Sequence, residues 1–254
     1  MADCNLYLKQ LKGHYKKVAP EYDQFFEFLS RVKADFIQRF IPLSKDDQLV
    51  DVGGGTAQVS LMIHSDLGMI NPVVCVDPSE EMLKVARKNG AITIHSTAED
   101  FLASGKPEFP LKVVLMIGCI HHFQDINFVF SKLSECMPEN GVIFIVQQPA
   151  ETTLPLFKAA KQAFTDISKR LEPICKVLKA KGFRCRVVTG VESVQLKKEF
   201  WYSAIRNKVV SGFERFSDED LEQGIKELEE EFSSEDILKF DLAMEGLVVQ
   251  KSLQ

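Results

Sequence analysis

Leu49-Val50-Asp51-Val52-Gly53-Gly54-Gly55-Thr56-Ala57-Gln58-Val59 is the stretch that decides the fold. Its first four residues make a short apolar run of the kind a buried parallel strand shows, because such a strand has no solvent face to keep polar. The glycines then permit a sharp turn at positive φ and let backbone N–H groups approach a ligand with no Cβ in the way. A helix follows. Strand, glycine turn and helix together form a nucleotide- or cofactor-binding unit. A dinucleotide fingerprint, Gly-x-Gly-x-x-Gly, counted from Gly53 requires glycine at position 58, where this chain has Gln58. The chain instead reads Asp-x-Gly-x-Gly-x-Ala from Asp51 to Ala57. Asp51 sits inside an apolar strand, so it must be hydrogen-bonded, with the loop backbone as the expected partner.

The same change of period recurs on either side. Gln48–Val52, Pro72–Val76, Ala91–His95, Lys112–Ile117 and Val142–Val146 are aliphatic and β-branched runs of strand length, separated by amphipathic stretches of helical length. Between the second and third runs, Ser79 is placed as an N-cap, Glu80 and Glu81 fill the first turn, Arg87 and Lys88 the last, and Gly90 stops the helix. Asp125–Met137 reads as a further helix. Strand–helix–strand repetition at this spacing predicts parallel strands with right-handed crossovers. Adding Phe183–Thr189 and a closing Leu242–Gln250 gives an α/β fold: a doubly wound, mostly parallel seven-stranded sheet with helices on both faces. One domain is expected over 1–254, with a helical lid at 1–40, a cofactor-binding core at 45–150, and substrate-side helices and closing strands at 151–254. Helices are expected near Lys197–Val210 and Ser217–Phe232, the former as part of a C-terminal insertion that completes the lid.

Composition excludes several classes. Hydrophobic residues at 45% and charged residues at 26% are ordinary for a globular chain. A net charge of −5 supplies no field for a polyanion or an anionic membrane. No Asn/Asp-Pro-Pro-Tyr motif follows the fourth strand, so nucleic acid is not the expected partner. Apolar runs fall far short of the roughly 20 residues a membrane helix needs, and the first residues hold no apolar stretch of signal-peptide type. Six scattered cysteines with no Cys-x-x-Cys fit a reducing, cytoplasmic setting. The basic stretch 158–186 and the acidic stretch 214–236 read as solvated helix faces, although the former could serve an anionic substrate. No obligate protein partner is indicated.

Past the glycines, Val74-Cys75-Val76-Asp77-Pro78-Ser79 ends the second strand on an acid. An acid about two dozen residues beyond the glycines is placed to accept both ribose hydroxyls of an adenosine moiety. Asp77 can also be read as a cap for the helix that follows. Asp51–Ala57, Val76–Leu83, Ser96-Thr97-Ala98-Glu99-Asp100-Phe101 and Gly118-Cys119-Ile120-His121-His122-Phe123, taken in order, resemble the motifs of the class I, seven-stranded S-adenosylmethionine-dependent methyltransferases. The subgroup they resemble includes the ubiquinone and menaquinone biosynthesis and trans-aconitate methyltransferases, and the match covers roughly 45–150. The resemblance implies S-adenosylmethionine as cofactor, a ligand without phosphate. It would be held by Tyr22, Asp51, Gly53, Gly55, Asp77, Pro78, Thr97, Ala98, Glu99 and Ile117. Thr97 stands where an Asp is common, so adenine recognition would lean on the Ala98 amide and on Glu99 or Asp100. Ala57 replaces a third glycine with another small residue. Tyr15 and Tyr22 would either close over the cofactor or belong to a helix packed on the sheet.

Methyl transfer from a sulfonium is a direct in-line displacement, for which positioning supplies most of the acceleration and a general base is optional. His121 and His122 follow the fourth strand at the carboxyl edge, where open α/β sheets bind ligands. They either act as a base or shape the substrate pocket. Adjacent residues make a poor chelate, so no metal is expected. Tyr15, His122, Trp201 and Arg206 are the candidates on the side of a small-molecule substrate, Trp201 also reading as core. An oxidoreductase is opposed by Gln58 and by the lack of a Tyr-x-x-x-Lys pair. A non-catalytic protein that keeps the fold to bind a cofactor or partner is the remaining alternative.

Overall fold

The computed structural model describes residues 27–105, 107–149, 151–167, 171–209, 212–234 and 236–251. Tyr15 and Tyr22, and with them most of the expected N-terminal lid, lie outside the described residues.

Seven strands form one sheet in the order β3-β2-β1-β4-β5-β7-β6. They are β1 Leu49–Val52, β2 Val74–Asp77, β3 Ile92–His95, β4 Val113–Ile117, β5 Val142–Gln147, β6 Phe183–Lys197 and β7 Ile237–Lys251. The first five pair in parallel, with Val50 opposite Val74 on one side of β1 and opposite Val114 on the other. β7 closes antiparallel on β5, with Val146 opposite Gly246. This is the mostly parallel, doubly wound sheet that the alternating periods predict.

The helices are α1, described over 27–40, then α2 Gln58–Leu67, α3 Glu80–Lys88, α4 Ala98–Ala103, α5 Ile126–Cys136, α6 Lys158–Ile167, α7 Leu171–Ala180, α8 Lys198–Arg206 and α9 Asp218–Glu231. Local chemistry explains the boundaries. The Ser79 hydroxyl accepts from the Met82 amide at the start of α3, and Asp125 does the same for Phe128 at the start of α5. Ser217 and Asp220 form a reciprocal capping box on α9.

The described residues form two compact units. The first takes those up to Gln147, together with 171–188 and 245–251. Its core lies against the central strands, where Val50, Val76, Val114, Phe130 and Ile143 are fully buried. The second takes the described residues of 148–167 and 189–244. It is built on α6, α8 and α9 around Phe157, Phe213 and Trp201. Gly224 of α9 is required there, since a Cβ would come 2.5 Å from the Phe157 ring.

The last two strands differ from expectation. β6 and β7 each run 15 residues, where the sequence suggests about half that length. Thr189–Lys197 alternates β-branched or polar residues with half-buried ones, and the short apolar runs that marked the other strands are missing there.

Candidate active site

The β1–α2 loop is held at every turn by its neighbours. Gly53 (φ 73°), Gly55 (φ 58°) and Ala57 (φ 59°) all occupy the left-handed region. For Ala57 that conformation costs about 1 kcal/mol, which the surrounding structure must offset. The Gly53 amide donates to the Val76 carbonyl at 2.7 Å, continuing the β1–β2 ladder past the end of β1. The Ala57 amide closes the turn on the Gly54 carbonyl at 2.8 Å.

Asp77, the last residue of β2, faces this loop. One carboxylate oxygen accepts from the Gly55 amide at 2.9 Å and the other from the Ser79 amide at 2.8 Å. The cap reading of Asp77 is realised in its bond from the Ser79 amide, which fixes the entry to α3, while the bond from Gly55 ties the same side chain to the loop. It is 8% exposed. Burial pushes its carboxyl up to about 6, against the downward pull of the Ser79 and Gly55 amides and of His95. Pro78 is half-buried, and its carbonyl lies 3.0 Å from His95 Nε2.

Asp51 lies beneath the loop, buried in β1. Its Oδ2 accepts from the Ser60 hydroxyl at 2.7 Å, and Oδ1 has no hydrogen-bond partner among the described residues. The expected loop-backbone bond is replaced by a side-chain bond from α2. The Ser60 hydroxyl also lies 3.0 Å from the Ala57 carbonyl, so one serine touches both the acid and the end of the loop. Burial pushes Asp51 up to about 7; the Ser60 hydroxyl lowers it and the charge on Asp77 raises it further. Two carboxyl groups with raised affinity for protons thus sit under and beside the same glycines.

The next wall is α4. The Thr97 hydroxyl caps that helix by accepting from Asp100 at 3.1 Å, and Ala98 is buried. Glu99 reaches elsewhere: its Oε1 accepts from the amides of Gln124 and Asp125 at 2.8 and 3.2 Å. It therefore anchors the segment that follows the two histidines. Ile117 ends β4, half-buried, and Gly118 turns the chain at φ 64° into a 3₁₀ turn, Ile120–His122. His121 and His122 are half-buried, with ring centroids 3.8 Å apart at 50°. The tight turn brings adjacent rings side by side, which regular α or β geometry would not.

Asp51, Gly53, Gly55, Asp77 and Pro78 are thus gathered around one loop, while Thr97, Ala98 and Glu99 form α4's first turn and Ile117 leads into the histidine turn. Trp201 and Arg206 belong to the second unit. Trp201 is buried in its core, with Nε1 donating to the Pro155 carbonyl at 2.7 Å. Arg206 is exposed and paired in two-pronged fashion with Glu222 at 2.7 and 3.1 Å. Sequence reasoning missed Gly54, Ser60, Cys75 and Cys119. Ser60, a polar residue on the buried face of α2, carried a signal; the others are legible only once strand neighbours are known.

The chain matches a family model described as a methyltransferase domain over residues 25–228, most of its length. It belongs to the methyltransferase-domain family. No curated protein matches it in sequence. Solved methyltransferase structures share the fold at low identity. A phosphoethanolamine N-methyltransferase of Haemonchus contortus, crystallised with phosphomonomethylethanolamine and S-adenosylhomocysteine, is 18% identical with a TM-score of 0.58. That match covers 94% of this chain and 58% of the worm protein. An S-adenosylmethionine-dependent methyltransferase of Thermotoga maritima is 15% identical with a TM-score of 0.57, over 94% of this chain and 99% of the other. The YcgJ protein of Bacillus subtilis gives 13% and 0.58, over 88% and 100%. At such identities the likeness establishes the methyltransferase fold, with its seven-stranded sheet.

Proposed function

We propose that this methyltransferase-family protein transfers a methyl group from S-adenosylmethionine to a small-molecule acceptor by direct in-line displacement. The observation that carries the reading is Asp77, an acid at the carboxyl end of β2, held by Gly55 and Ser79 amides beside a glycine loop. Each of its oxygens accepts one bond from the protein and keeps a lone pair for a ribose hydroxyl. The residues fit the cofactor on other grounds also. Among the described residues, no atom beyond its chain neighbours lies within 4 Å of where a Gly55 side chain would start, so a ligand meets bare backbone there. Asp51 Oδ1 is a buried acceptor with no donor among the described residues, suited to a cationic amino-acid tail or to water held by it.

When bound, the cofactor supplies an electrophilic methyl group on a sulfonium. The chain's own work is then placement. Gly53 and Gly55 offer backbone, with Asp51 as the acid beneath them, and Asp77 accepts the ribose. Pro78, Thr97, Ala98, Glu99 and Ile117 border the adenosine, with Tyr22 as a further candidate contact. His121 and His122 shape the acceptor side. Tyr15, Trp201 and Arg206 are the remaining substrate-side candidates. Calorimetry on the full chain tests the reading: S-adenosylhomocysteine should bind and NAD should not. NAD binding with no affinity for either adenosyl ligand would overturn it.

A further inference from the structure

The backbone of the β1–α2 loop poses a question of bookkeeping. Three of its residues sit at positive φ and two of those are glycines, which lose the most conformational freedom on ordering. Four of its amides have protein acceptors: Gly53 and Gly54 on Val76, Gly55 on Asp77, Ala57 on Gly54. Two of its carbonyls are held by cysteines. The Cys119 thiol donates to the Val52 carbonyl at 3.0 Å, and the Cys75 thiol donates to the Gly55 carbonyl at 3.5 Å. Cys75 lies on β2 and Cys119 just past β4, the two strands that flank β1. The backbone is therefore gripped from both sides, at the end of β1 and at Gly55 of the loop.

Size matters as much as chemistry here. A Cβ on Gly53 would come 2.6 Å from Cys119 Cβ and 2.9 Å from its Sγ, so the cysteine packs directly on the glycine backbone. Both cysteines are essentially buried, at 0% and 5% exposure. Burial pushes both thiols far above their usual range, so they stay protonated and keep their donor hydrogens. Thiols that remain S–H at any working pH serve as fixed ties, with no role as nucleophiles or redox centres.

We propose that Cys75 and Cys119 are positioning residues for cofactor binding, their thiols holding the Gly55 and Val52 carbonyls so that the glycine loop presents its backbone in one shape. The assignment rests on the cofactor reading given above. The competing role is that of two small core residues, for which alanine would serve as well. Serine separates the two, since it keeps a donor of similar size and alanine does not.

S-Adenosylhomocysteine affinity is measured by calorimetry on the full chain for Cys75→Ala, Cys119→Ala, their double variant and the matching serine variants. Thermal unfolding of each is recorded without ligand. Amide hydrogen exchange at Gly53–Gly55 is followed in parallel. The alanine double variant is expected to bind about tenfold more weakly, and the serine double variant to recover most of that loss. Exchange at the loop should quicken in the alanine variants and return in the serine ones, whatever happens to the unfolding midpoint. Should the double alanine variant fail to fold, the single variants decide by the same comparison. Wild-type protein that binds no adenosyl ligand would refute the cofactor reading itself. Wild-type binding with alanine variants unchanged, or with serine variants as weak as alanine ones, would overturn the positioning role and leave the cofactor reading standing.

Discussion

The Asp51 carboxyl group lies against the backbone of Gly54, so close that a Cβ added at Gly54 would sit 2.6 Å from Asp51 Cγ and 2.8 Å from Oδ2. A buried acid bonded to Ser60 has little room to yield. Gly54→Ala is therefore expected to destabilise the fold by about 1–3 kcal/mol through overpacking. Gly55→Ala is a contrasting case. Its Cβ meets no atom of the described residues within 4 Å beyond its chain neighbours, and its cost is the left-handed φ of 58°, about 1 kcal/mol. Denaturant unfolding should rank Gly54→Ala as the less stable of the two. Calorimetry should show Gly55→Ala losing adenosyl-ligand affinity out of proportion to its small loss of stability. Equal stability in both variants would contradict the packing assigned to Asp51.

The protonation of Asp51 sets a pH dependence. Its folded-state carboxyl is pushed up to about 7 by burial, above the ordinary value of 3.8. A raised carboxyl pKa means the neutral form is the one the fold favours. That stability is fully present below about pH 4 and is lost as pH rises through about 7. In Asp51→Asn the neutral state is permanent, so the stability difference between variant and wild type should move in the variant's favour between about pH 4 and 7. The swing is on the order of a few kcal/mol. Parallel pH profiles for the two proteins, from ligand-free denaturant titrations, would rule out a buried proton at Asp51.

Asp77 titrates lower, at about 6, and its ionised form is the one that accepts ribose hydroxyls. Adenosyl-ligand affinity should therefore weaken as pH falls through about 6, and Asp77→Asn should lower it at least about tenfold at pH 7.5. The substituted amide can accept from only one of Gly55 and Ser79, so the loop loses a tie as well. Removal of a buried charge offsets part of that loss, and the variant should remain folded. Calorimetry at several pH values checks both statements. An affinity that is flat between pH 5 and 8 would remove Asp77 from the site.

Glu99 is assigned by the structure to two backbone amides past the histidine turn. Replacing it with alanine leaves Gln124 and Asp125 without that acceptor at a cost of about 1 kcal/mol. Hydrogen exchange at those two amides should rise in Glu99→Ala, while the Thr97 cap on Asp100 keeps its protection. Unchanged exchange at Gln124 and Asp125 would show that Glu99 does not hold the turn.

The parts of this fold that were legible in the sequence are those fixed by short-range pattern. β1, β2, β4 and β5 are continuous apolar runs because each is covered on both faces, and α3 is bounded by a serine cap and a glycine stop. The glycine loop and Asp77 were legible for the same reason, being spaced along one β-α-β unit. What escaped were ties between elements distant along the chain. Cys119 reaches Val52 across 67 residues, and Glu99 reaches Gln124 across 25. Arg206 reads as a substrate-side candidate because nothing local in sequence marks Glu222 as its partner. Asp51 illustrates the limit: burial required a hydrogen bond, but whether the donor came from the loop or from Ser60 depended on how α2 packs. The long β6 escaped because an edge strand with an exposed face lacks the apolar run that marked the others.

Transfer of an isotopically labelled methyl group tests most directly whether the chain is a methyltransferase for small molecules. The 254-residue chain is incubated with methyl-labelled S-adenosylmethionine and a pool of small metabolites, with Asp77→Asn as control, and labelled products are identified by mass spectrometry. Label should enter a small-molecule product with an equal amount of S-adenosylhomocysteine formed, and both should fall sharply in Asp77→Asn. Tight binding of S-adenosylmethionine with no labelled small molecule from any pool, or label confined to protein or nucleic acid, would contradict it.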